Sequence, residues 1–216
     1  MSEDRELLEG LRKALETTRR ILESIGLVWG AYSYIPWLIP LSITIILTSL
    51  VPLRGRILIY VVDSVWIASI VIIVSVVFVR MHRRMASLRR LGLEARHPRI
   101  SQRAVAIGWG LCWLWFPIIS FARLPIPQSI APPLSLLATL ATGVTINAVW
   151  EYRAFRSWIS FVAAFILYGV IALILTVPTT DPWGVACGGI FLSYVTAVAL
   201  YIHEALKHMT EVREQG

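Results

Sequence analysis

Charge and side-chain amides are both scarce in this sequence. Asp, Glu, Lys and Arg make up 15% of the 216 residues, against about a quarter in a soluble domain. A water-exposed surface of ordinary extent cannot be built from so few charges. Asn occurs once, at Asn147, Gln three times and Lys twice, beside eighteen Arg. That balance fits either a thermophilic source or an Arg-rich genome. The two cysteines, Cys112 and Cys187, fall towards opposite ends of the spans assigned below, too far apart for a disulfide, and read as small packing residues.

Signatures are missing as well. There is no G-x-x-x-x-G-K-[ST], no dinucleotide G-x-G-x-x-G and no G-x-S-x-G elbow, so ATP-driven work would need a separate subunit. The run from His203 to His208 resembles a zincin motif but misses it. Its two His stand five apart instead of four, which rotates the second by about 140° around a helix. His82 could meet His203 across a bundle, but no second matched pair exists. No metal or other cofactor is expected.

Apolar sequence is abundant: 57% of residues are hydrophobic and the mean hydropathy is +0.71. A membrane-crossing helix needs about 20 mostly apolar residues, and six stretches qualify: 27–51, 57–79, 104–122, 132–150, 158–177 and 183–203. The mixed-charge segment before the first lacks the form of a cleavable signal. If both termini are inside, seventeen of the twenty basic residues fall in the cytoplasm, and only Arg54, Arg56 and Arg123 fall outside. Cytoplasmic loops retain Lys and Arg during insertion, so this split sets the orientation. The expected fold is all-α: a multi-pass cell-membrane protein whose six transmembrane helices form three hairpins. A cytoplasmic amphipathic helix over 1–26 precedes them, a basic cytoplasmic loop spans 80–103, and a cytoplasmic tail covers 204–216.

The N-terminal segment places Leu8, Leu11, Leu15, Leu22 and Ile25 on one stripe and pairs charges at helical spacing on the other face, as in Glu16 with Arg20. It holds six acids to five bases, whereas a helix lying on anionic lipid favours a basic polar face. Packing on another helix, as a short coiled coil between protomers, is the preferred expectation, with an interfacial elbow helix as the alternative. Pro36 and Pro40 inside the first span each remove a helix hydrogen bond and should kink it.

Polar groups in apolar surroundings supply the candidate sites. Asp63 is the single carboxylate inside an expected span, and an intramembrane acid is a functional hypothesis by default, with a local ion pair as the structural alternative. Ser135, Thr139 and Thr142 share one face of the fourth span. Such hydroxyls can line a polar path, though they also serve close helix packing. Asn147 and Glu151 share a face near its inner end, where Glu151 could meet Arg156 or Lys207. In the basic loop, Arg80, Arg83, Arg84, Arg89 and Arg90 could hold anionic lipid headgroups or a soluble partner. No aromatic residue interleaves them to stack bases, so nucleic acid is not an expected partner.

An N-terminal helix, six spans and a cytoplasmic loop after the second give a layout that resembles the six-span permease subunits of ATP-binding-cassette exporters. The resemblance is one of layout, without a motif, and the short Thr179–Gly184 turn departs from it by leaving no room for a re-entrant helix between the last two spans. The leading functional expectation is a non-enzymatic, transport-associated or accessory membrane subunit that binds a partner, or a second copy, through its cytoplasmic helices. A channel or ion-coupled carrier using Asp63 and a membrane-embedded lipid-modifying enzyme are the alternatives.

Overall fold

The computed structural model describes residues 2–50, 56–72, 75, 79, 102–121 and 126–215. The helices in chain order are α1 (Ser2–Leu50), α2 (Arg56–Ile72), α3 (Gln102–Cys112), α4 (Trp115–Phe121), α5 (Ala131–Phe155), α6 (Ile159–Thr176) and α7 (Pro182–Gln215). Strands are absent among the described residues. The protein is all-α, and among the described residues four segments are long and apolar enough to cross a membrane: Ser24–Leu47, Ala131–Arg153, Ile159–Thr176 and Pro182–Glu211. The expected spans 132–150, 158–177 and 183–203 fall on α5, α6 and α7. The expected span 57–79 lies only partly within α2, and the basic loop lies almost wholly outside the described residues.

α1 and α7 are much longer than a bilayer requires. At about 1.5 Å per residue they reach roughly 74 and 51 Å, against a hydrocarbon layer of about 30 Å. They pack side by side and antiparallel: Arg20 pairs with Glu211, and Gly30 lies against Tyr201. Both excess lengths therefore leave the bundle at the same end. The amphipathic segment and the first span form one helix, and Pro36 and Pro40 lie inside it without ending it.

The core is built where small residues let backbones approach, the usual device of helix packing in lipid. On α7, Ala186, Ile190, Ser193, Ala197, Tyr201 and Ala205 recur at helical spacing and are all buried. They meet Ala163, Ala164 and Leu167 of α6, Leu137, Ala141 and Val144 of α5, and Ala31, Tyr34 and Leu41 of α1 in one cluster. The Ser193 hydroxyl donates to the Ala163 carbonyl at 2.9 Å, tying α7 to α6.

Local chemistry sets the helix ends. Pro132 and Pro133 stand in the first turn of α5, where a missing N–H costs little. Asp181 precedes α7, its carboxylate accepting from the Gly184 N–H at 2.9 Å, with Pro182 as the first helical residue. α5 stops at Arg156, which takes a left-handed conformation at φ 58°.

The expected span 104–122 is broken. Trp113 and Leu114 form a turn between α3 and α4, with three-residue bonds from the Trp113 N–H to Gly110 and the Leu114 N–H to Leu111. Pro117 lies three residues further on and has no N–H to offer the Trp113 carbonyl. Beside this turn the Thr139 hydroxyl on α5 shares its proton between the Ser135 carbonyl at 2.9 Å and the Cys112 carbonyl at 3.2 Å, which ties α5 to the end of α3.

Candidate functional site: a carboxylate and three hydroxyls

Four helices bring one carboxylate and three hydroxyls together. Glu151 stands one turn from the end of α5, Ser160 is the second residue of α6, Tyr201 lies two-thirds along α7, and Tyr34 sits inside α1. Ser160, Tyr34 and Tyr201 are buried. The Ser160 Oγ donates to Glu151 Oε2 at 2.6 Å, the Tyr201 hydroxyl donates to the same oxygen, and the Tyr34 hydroxyl lies 2.7 Å from the Ser160 Oγ.

Counting protons fixes the order of the chain. When Glu151 is ionised it only accepts, and each hydroxyl has a single proton. Ser160 spends its proton on Glu151, so the Tyr34 hydroxyl must donate to Ser160. Tyr201 likewise spends its proton on Glu151, which leaves the 2.9 Å approach of Tyr201 to Ser160 as a contact without its own proton. The result runs Tyr34 to Ser160 to Glu151, with Tyr201 entering from the other side.

The aromatic rings hold this arrangement from behind. Tyr34 meets Tyr194 edge-on, with centroids 5.0 Å apart, and Tyr201 at 6.1 Å. Tyr201 also lies flat against Gly30, where an added Cβ would come 2.5 Å from its Cε1. Gly30 is thus the gap in α1 that lets the Tyr201 ring reach Glu151.

Cations stand elsewhere. Glu151 makes no ion pair with any described residue, and the expected partner Arg156 places its guanidinium 5.2 Å from the Tyr152 ring centroid. At the left-handed end of α5 the Arg156 side chain is exposed and folds back over Tyr152, not towards Glu151. Lys207 is exposed on α7, one and a half turns beyond Tyr201.

The remaining sequence candidates divide. Asn147 shares a helix face with Glu151 but accepts from the Trp109 indole at 3.1 Å, so it joins α5 to α3 and not to the carboxylate. Ser135, Thr139 and Thr142 each donate to a carbonyl one turn back at 2.7 to 2.9 Å, and Thr142 also accepts from the Trp115 indole at 3.1 Å. Their hydroxyls are consumed within α5 and at its contact with α3 and α4. Asp63 lies on α2, but its side chain is outside the described residues, as are Arg80, Arg83, Arg84, Arg89 and Arg90. A groove of about 240 Å³ lined by Ile126, Pro127, Ile130 and Ile174–Pro178 lies at the opposite end of α5 and α6 from Glu151.

No family model, curated protein or solved structure matches this chain. Its chemistry must therefore be read from these groups. Among the described residues, no set of three His, Cys, Asp or Glu side chains converges as a metal site would require, and both cysteines are free and buried.

Ser160, Tyr34 and Tyr201 escape a reading that weighs charged groups first. The signal that reveals them is depth. Given the expected spans, Tyr34 lies two turns inside the inner boundary of the first, Ser160 two residues inside the fifth, Tyr201 two residues from the end of the sixth, and Glu151 one residue past the fourth. Any buried Tyr hydroxyl needs a partner, and at that level Glu151 is the acceptor available.

Proposed function

We propose that this chain is a non-enzymatic, transport-associated or accessory subunit of a membrane complex, docking a protein partner on the aqueous end of α1. The supporting observation is exposure. Leu7, Leu8, Leu11 and Leu15 are 62 to 71% exposed on a helix continuous with a membrane span, whereas the polar groups of the bundle interior satisfy one another. Four leucines held in water on one stripe are costly unless something covers them. The proposal includes a six-span topology with cytoplasmic termini, and a role for Arg80, Arg83, Arg84, Arg89 and Arg90 in holding anionic headgroups. Replacing Leu8 and Leu15 together by Glu should leave the unfolding transition of the purified chain in place. The same change should shift the protein to lower mass when native membranes are solubilised and run on a native gel. An unaltered complex, or a wild-type chain that runs as a lone monomer, removes the reading.

The Glu151 network supports a second reading, an ion-coupled carrier in which the carboxylate takes and releases a proton through its hydroxyl partners. It predicts that Glu151→Gln abolishes a proton-linked flux in proteoliposomes while the protein still folds. Flux equal to wild type in that variant ends this second reading.

A further inference from the structure

α1 keeps a seven-residue register from water into membrane. Leu11, Ile25, Ile39 and Ile46 stand seven or fourteen residues apart and are 42 to 62% exposed. The opposite face, with Ser24, Ala31, Tyr34 and Leu41, is buried in the bundle. Residues seven apart drift by only about 20° around a helix, so the outward stripe winds slowly, by about 100° over the five heptads from Leu11 to Ile46.

The part between Ser24 and Leu47 is long and apolar enough to cross a membrane, where lipid would cover it. Beyond Ser24 that cover does not reach. Leu11 stands thirteen residues further along α1, about 20 Å at the helical rise, and a headgroup layer is only about 5 to 8 Å deep on each side. The pairing of Arg20 with Glu211 sets the antiparallel register, in which Gln215 comes level with Glu16. Leu7, Leu8 and Leu11 lie beyond that level on α1, and no described residue buries them: they are 62 to 71% exposed.

We propose that this stripe is closed by a second copy of the chain, the two α1 helices forming a parallel coiled coil. The proposal rests on the docking role given to α1 above. Three observations select a copy of the same chain. Leu8, Leu11, Leu15 and Thr18 alternate by three and four, the spacing of a coiled-coil seam. Insertion gives every copy the same orientation, so neighbouring α1 helices meet parallel, Leu11 against Leu11 about an axis normal to the membrane. The flanks agree with that geometry. Arg5, Arg12 and Arg19 line one edge of the stripe and Leu7, Ala14 and Ile21 the other. A parallel pair sets these edges against each other, so each Arg meets an apolar side chain and keeps a Glu four residues on in its own helix. An antiparallel pair would set Arg against Arg.

Cysteine crosslinking in native membranes tests this. Two differently tagged full-length copies are co-expressed, with Cys112 and Cys187 replaced by Ala and a single cysteine at Leu11→Cys or, on the opposite face, Lys13→Cys. If the double replacement prevents folding, the native cysteines are retained, both being buried. Mild oxidation should yield a disulfide dimer carrying both tags at Leu11→Cys, at least tenfold above Lys13→Cys. Equal yields at the two positions overturn the pairing. So does a photoactivatable maleimide on Leu11→Cys that captures only a different polypeptide, but that result leaves the docking role standing. Absence of any adduct by either chemistry ends both.

Discussion

Replacing Tyr201 by Phe removes a single oxygen from the buried network and keeps the ring against Gly30, so its cost isolates one hydrogen bond. Two magnitudes compete. Hydrogen bonds to charged groups contribute about 1.5–3 kcal/mol net, whereas side-chain bonds inside membrane proteins average about 0.6 and reach about 1.7 kcal/mol. Here the acceptor is a carboxylate with two hydroxyl donors and no ion pair to any described residue, which argues for the upper membrane value. We expect Tyr201→Phe to cost about 1.5 kcal/mol, raising the unfolded fraction about tenfold. Reversible unfolding in mixed detergent micelles, followed by Trp fluorescence, measures it. The sign in a second background is the sharper test. In Glu151→Leu the Tyr201 hydroxyl loses its carboxylate, so adding Tyr201→Phe should be neutral or stabilising. Equal costs in the two backgrounds would falsify the network as drawn, since coupled groups cannot be additive.

Gly30→Val should displace the Tyr201 ring and cost about 1–3 kcal/mol through overpacking, and in that variant Tyr201→Phe should add little in the same unfolding assay. Separating Arg20 from Glu211 by Arg20→Ala should cost under about 1 kcal/mol, because both groups remain partly in solvent, and the difference should vanish in about 1 M salt. Thr139→Val should cost about 1 kcal/mol by taking a donor from the Cys112 carbonyl. If Thr145→Val, whose hydroxyl bonds back along α5 and to the half-exposed Tyr168, costs as much, the special role of Thr139 is refuted.

How much of this was legible in the sequence depends on the range over which each feature is encoded. Apolar runs are local, and α5, α6 and α7 lie where long hydrophobic stretches put them, because burying about 20 residues in lipid dominates every competing local preference. The break at Trp113–Leu114 was missed, since hydropathy weighs Pro117 as one residue among many and ignores the N–H it lacks. The unity of α1 was also hidden: composition shifts from charged to apolar near residue 26, but backbone hydrogen bonding has no reason to stop there, and Pro36 and Pro40 come later without ending the helix. The partners of Glu151 lie 9 and 50 residues away. Electrostatic reasoning favoured Arg156 and Lys207, but Arg156 folds over the Tyr152 ring and Lys207 is exposed on α7.

An unbroken α1 also acts as a pushrod. Leu11 and Tyr34 are separated by 23 residues of one helix, about 35 Å along its axis. A rigid shaft passes axial load over that distance undiminished. Sliding it by the rise of one residue, about 1.5 Å, across the 2.7 Å bond from Tyr34 to Ser160 would lengthen that bond to about 3.1 Å, at the weak end of the O–H···O range. An axial displacement at the exposed leucines of α1 is thus passed to the hydroxyls around Glu151.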